Sequence, residues 1–99
     1  MNASAPILDR DQLVEKIRLE RGHDATIVLA NGCFDLFHVG HIRYLNGAKE
    51  LGDCLVVGIN ADQQVQLLKG AGRPFMPDHE RAEIVAALKA VDYVTIFHE

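Results

Sequence analysis

Three short runs of aliphatic and β-branched residues recur along this chain, each separated from the next by a segment with helical spacing. The runs are residues 26–30 (Thr26, Ile27, Val28, Leu29, Ala30), residues 54–59 (Cys-Leu-Val-Val-Gly-Ile) and residues 93–97 (Tyr-Val-Thr-Ile-Phe). Such runs are too short for core helices and too uniformly apolar for strands with one wet face. They predict strands buried on both faces. Strand and helix in alternation imply a parallel sheet covered on both sides, joined by right-handed crossovers. The expected fold class is α/β, a Rossmann-like parallel sheet of three strands with helices on both faces.

The segments between the runs supply the helices. Residues 9–21 carry Leu13, Ile17 and Val14 on one face and stop at Gly22. Residues 39–51 turn Ile42, Leu45, Ala48 and Leu51 inward and stop at Gly52. Residues 61–68 form a short helix. Residues 69–77 hold Gly70, Gly72, Pro74 and Pro77 and read as a loop, expected to be mobile without ligand. Residues 78–90 make a helix carrying Ile84, Val85 and Leu88; Pro77 before it and Asp78 and Glu80 in it suit a first turn. Residues 1–8 read as a loose lead. We expect one domain over residues 1–99, with a lead and helix in 1–24 and the core in 25–99.

A chain of 99 residues holds one small domain. Its formal net charge of -4 argues against general binding to nucleic acid or acidic membranes. Cys33 and Cys54 form neither a Cys-x-x-Cys pair nor a zinc spacing, so they read as thiols, with no metal site. The first residues lack a signal-peptide pattern, and no apolar run has membrane-spanning length. These features give the expectation of a cytoplasmic protein.

The chemically informative stretch is Asn31-Gly-Cys-Phe-Asp-Leu-Phe-His-Val-Gly-His41. It lies between the first strand and the next helix, at the carboxyl end of a strand, where ligands bind in open α/β sheets. The helix start offers free N–H groups and a partial positive charge to a phosphate. His38 and His41 are three apart, which puts both imidazoles on one side of a first turn. Gly40 between them has no side chain and is expected to admit a base or ribose close to the backbone. Two imidazoles over a phosphate can donate to oxygens whose charge grows in the transition state. An attacking phosphate is already anionic, so positioning and charge stabilisation carry the chemistry. His23, His79 and His98 have no such context and read as surface or capping residues.

This stretch resembles the His-x-Gly-His signature of the cytidylyltransferase-like nucleotidyltransferases. The likeness continues through Leu51-Gly-Asp-Cys-Leu-Val-Val-Gly58, Asn60-Ala-Asp62, Lys69-Gly, Arg73-Pro, Glu80-Arg81 and Ala90-Val-Asp-Tyr-Val94. Within the family, the Lys-Gly-x-x-Arg-Pro run, with the Glu-Arg and Ala-Val-Asp-Tyr-Val segments after it, is most similar to the heptose 1-phosphate adenylyltransferases of lipopolysaccharide core synthesis. The resemblance implies transfer of an adenylyl group from ATP to a sugar phosphate, with release of pyrophosphate and with Mg²⁺ bound mainly through the nucleotide phosphates. Cytidylyl transfer to an alcohol phosphate, or nucleotide binding without turnover, are the alternatives. It further implies that His38, His41 and Lys69 are catalytic. Asn31, Gly32, Cys33, Phe34, Asp35 and Gly40 would lie at the nucleotide. Asp62, Arg73 and Arg81 would support the site or meet the sugar phosphate, with a plain surface salt bridge as the competing reading of Arg81.

Family members add further strands and a late Ser/Thr-rich motif after the third strand, and here nothing follows Glu99. The chain therefore resembles part of the family's domain. The expectation is a strand at 26–30 with one edge uncovered, self-association or segment exchange through that edge, and weak or absent transfer by these 99 residues alone.

Overall fold

The computed structural model describes residues 4–98. The elements run α1 (Arg10–Arg21), β1 (Ile27–Gly32), α2 (Val39–Lys49), β2 (Cys54–Asn60), α3 (Asp62–Lys69), α4 (Asp78–Ala86) and β3 (Tyr93–Phe97). The strands form one parallel sheet in the order β1-β2-β3, as the alternation of apolar runs and helices implies. Leu29 lies beside Val56, and Val56 beside Tyr93, so these three side chains share one face.

Each face has its own core. On one side Ala30, Leu55, Val57, Ile59 and Val94 pack under α2 and α4, against Leu45, Ala48, Ala82, Val85 and Ala86. On the other, Cys54, Val56 and Tyr93 pack under Leu13 and Ile17 of α1. That helix covers β2 and β3 and stops short of β1. Leu29 is consequently 66% exposed and Ile27 39%, on the one strand whose outer edge has no partner among the described residues.

Several inward assignments shift. Ile42, Leu51, Val14 and Ile84 are exposed. In α2 the inward row is His41, Leu45 and Ala48, so an imidazole takes the first-turn position expected of Ile42. In α4 the buried row is Arg81, Ala82, Val85 and Ala86, and the helix ends at Ala86 rather than continuing to residue 90. Leu88 still packs against the core from the turn beyond the helix. The first strand runs on to Gly32, two residues past the apolar run, because Asn31 and Gly32 keep the parallel register with Gly58 and Ile59.

The lead is also not loose where it is described. Pro6 O accepts the Val94 N–H at 3.0 Å, Leu8 N–H donates to Val94 O at 2.8 Å, and Ala5 N–H donates to Ala86 O at 2.8 Å. Backbone pairing of this kind occupies groups on the outer side of β3. Residues 1–3 of the expected lead lie outside the described residues.

Candidate active site

The turn from β1 into α2 is built around a left-handed phenylalanine. Phe34 has φ 51°, a strained conformation for a bulky residue, and is 4% exposed. Its ring sits 5.2 Å from that of His41, edge-on, and 6.1 Å from Phe37. Gly32 makes the fit possible: a Cβ there would lie 3.0 Å from the Phe34 ring. The small residue and the aromatic of this motif thus form one packing unit, with the ring packed into the core.

Asp35 follows, 3% exposed, and its carboxylate reaches across to the loop between α3 and α4. It accepts from Phe75 N–H at 2.8 Å, from Met76 N–H at 3.0 Å and from Arg73 Nε at 2.6 Å. Burial pushes this carboxyl upward, but the Phe75 amide, the Arg73 side chain and the Met76 amide outweigh it, and the net displacement is below the usual carboxylate range. The Arg73 guanidinium lies 4.4 Å above the Phe75 ring.

Arg81 ties the site's rear wall together. It is fully buried, which removes the reading as a surface salt bridge. Its Nε donates to Met76 O at 2.9 Å, Nη1 to Cys33 O and Asn60 O at 2.7 Å each, and Nη2 to Asp62 Oδ1 at 2.7 Å. One guanidinium therefore joins the C-terminal ends of β1 and β2, the start of α3 and the loop before α4. The fork of donors suits several acceptors at once, which an ammonium cannot match.

Over this frame lies a cavity of about 360 Å³, lined by Cys33, Phe34, Asp35, Leu36, His38, His41, Lys69 and Arg73. It stands beyond the carboxyl end of β1, at the start of α2. The structure thus brings together seven of the residues singled out from the sequence, and adds Leu36, which no chemical signal in the motif marked. Lys69 reaches the cavity as the last residue of α3, a helical position rather than a loop one. Asp62 and Arg81 support the wall from behind. Asn31, Gly32 and Gly40 are not among the lining residues. The space over Gly40 is taken by the His38 ring: a Cβ at Gly40 would lie 2.8 Å from His38 Cε1. Gly40 therefore makes room for an imidazole, where the sequence suggested room for a base or ribose.

The two histidine rings stack, 4.1 Å between centroids and 24° between planes. Burial, then the neighbouring His38, hold the His41 imidazole below its ordinary value. Lys69 and Arg73 add positive charge, and Asp35 is the single carboxylate in the lining, already bound to Arg73 and two amides. No cluster of three or more His, Cys, Asp or Glu suited to a metal occurs among the described residues. Among the described residues no free carboxylate lines the cavity to hold Mg²⁺, so this wall does not fit a protein-bound magnesium site. No helix among the described residues is long and apolar enough to cross a membrane.

Residues 29–99 match the model of the cytidylyltransferase-like family, well over half of the chain. The chain belongs to that family. It is 49% identical over 90 residues to the bifunctional protein HldE of Syntrophotalea carbinolica, covering 91% of this chain and 18% of that protein. With the bifunctional protein HldE of Nitratiruptor it shares 52% identity over 88 residues, covering 89% of this chain and 19% of that protein. The chain thus spans about a fifth of the length of these relatives. Among solved structures it is similar to a lipopolysaccharide core biosynthesis protein from Thermoplasma volcanium, with a TM-score of 0.69 and 36% identity over 75% of this chain and 59% of that one. The matched fold supports the Rossmann-like arrangement read from the strand pattern.

Proposed function

We propose that this domain moves an adenylyl group from ATP to a sugar phosphate, with heptose 1-phosphate the favoured acceptor, and releases pyrophosphate. The observation that carries the reading is the cavity at the end of β1, where His38, His41, Lys69 and Arg73 converge with the lining's one carboxylate already spent. Such a surplus of donors suits a polyphosphate. The names of the HldE relatives and of the lipopolysaccharide core protein support the choice of acceptor class, as does the run from Lys69 to Arg73.

In the reaction, an oxygen of the acceptor phosphate attacks the α-phosphorus of ATP. A new P–O bond forms there, the bond to the β-phosphate bridge breaks, and pyrophosphate leaves with the electron pair. The Nε2 edges of His38 and His41 donate to phosphate oxygens as their charge grows. Lys69, in the lining beside Gly70 with its φ of 97°, would follow the β- and γ-phosphates, and Arg73 is held in the lining by Asp35. Mg²⁺, when present, would neutralise charge on the nucleotide phosphates, which would themselves hold it.

The test is pyrophosphate release by the full-length protein. ATP with heptose 1-phosphate should be turned over well above CTP with glycerol 3-phosphate, and His38→Ala and His41→Ala should each cost about a hundredfold or more. Turnover with the CTP pair alone would replace the substrate assignment. Nucleotide binding without turnover would reduce the domain to a binding module.

A further inference from the structure

The two histidines also close the first turn of α2 on each other. His38 is the N-cap of that helix, and its Nδ1 accepts the Gly40 N–H at 3.1 Å. Nδ1 of His41, three residues on, accepts the His38 N–H at 3.2 Å. This is a reciprocal capping box, a device ordinarily made by a hydroxyl and a carboxylate or amide, whose oxygens carry lone pairs whether or not a proton is near. An imidazole accepts only through an unprotonated ring nitrogen. We propose that the box holds both rings as the Nε2–H tautomer, so that each presents a fixed neutral donor to the cavity, and that proton uptake by either ring opens the first turn of α2.

Three observations converge on this. The Nδ1 atoms are committed to the backbone, and neither Nε2 has a hydrogen-bond partner among the described residues. The rings stack at 4.1 Å, so a charge on one opposes a charge on the other. The space over Gly40 is filled by the His38 ring at a distance no Cβ would permit, so the glycine is part of the cap. The charged and titratable groups that face the pair from neighbouring elements are Lys69 at the end of α3, Arg73 in the loop after it, and Asp35 and Cys33 in the turn before α2. The first two are cations, and the one carboxylate, Asp35, is already paired with Arg73, so no free counter-charge faces the rings. The inner nitrogens are thus positioning groups, and the pair acts on phosphate by donation without transferring a proton.

The inference rests on the reading of the cavity as a phosphate site only for what the Nε2 donors meet. Its test is independent of turnover. In the histidine-labelled chain at pH 7.5, two-bond ¹H–¹⁵N correlation spectra should show protonated Nε2 and unprotonated Nδ1 at His38 and His41. An Nδ1–H tautomer or an imidazolium at either residue would overturn the proposal. A second measurement follows amide exchange protection at Gly40 and His38. It should fall severalfold between pH 7.5 and 5.5 in the native chain. In the double variant His38→Asn, His41→Gln, whose amide oxygens accept at both pH values, the fall should vanish. Persistence of the same fall in that variant also overturns the proposal. Failure of nucleotide binding with the tautomers as assigned would count against the transferase reading alone.

Discussion

At the scale of single residues, Arg81 and Asp35 hold together the wall in which the histidines sit. Replacing Arg81 by Ala strips donors from the Cys33, Asn60 and Met76 carbonyls and leaves the Asp62 carboxylate without its cation. Loss of one partner in a buried charged network costs on the order of 3–5 kcal/mol. Urea denaturation should show a loss of that size, and a change under about 1 kcal/mol would mean that water replaces the guanidinium. His41 carries a pH dependence whose sign is set by its depressed value. The unfolded ring binds a proton more readily, so stability falls as pH drops below about 6.5, where a free imidazole titrates, and levels off below the lower folded value. Thermal melts at pH 7.5 and 5.5 should differ in that direction, and His41→Gln should narrow the difference.

At the scale of elements, the segment between α3 and α4 divides in two. Gly70 and Gly72 have positive φ, and a Cβ at either would meet no atom within 4 Å, whereas Phe75 and Met76 donate their amides to buried Asp35. The loop expected from its glycines and prolines to move as a whole is therefore anchored along its second half. Amide exchange should be fast at residues 71–72 and about tenfold slower or more at Phe75 and Met76, and Asp35→Asn should abolish much of that difference. Uniform exchange along the segment would show that the carboxylate does not hold it. The same anchor holds Arg73 in the cavity lining, which links loop order to the positive charge of that wall.

At the scale of the whole molecule, β1 combines an edge unpaired among the described residues with an apolar face they leave uncovered. Ile27 and Leu29 lie beside backbone groups that no strand in the sheet satisfies, an arrangement that templates pairing with another chain. The 99-residue chain should scatter light in a concentration-dependent way, and Leu29→Lys should shift it toward monomer, since charge on an edge strand opposes pairing. A chain that stays monomeric at high concentration, with Leu29 intact, would count against the expectation.

Strand count, parallel arrangement and the location of the candidate site were legible from one sequence, because buried runs, helix stops and the His-x-Gly-His spacing are local signals read within about ten residues. The apolar face of a helix was legible only roughly. Which residues turn inward depends on what lies opposite, and in α2 and α4 those places went to His41 and Arg81, because the turn rings and the strand-end carbonyls needed them. Arg81 reaches Asn60 across 21 residues of sequence and Cys33 across 48, and Asp35 reaches Phe75 across 40; no local pattern marks a carboxylate as the anchor of a distant loop. The residue types that line the candidate site were thus written in the order of residues. Its wall, the tilt of its rings and the exposure of β1 were decided by tertiary packing, where a polar group's partner is whichever unsatisfied atom the fold brings within reach.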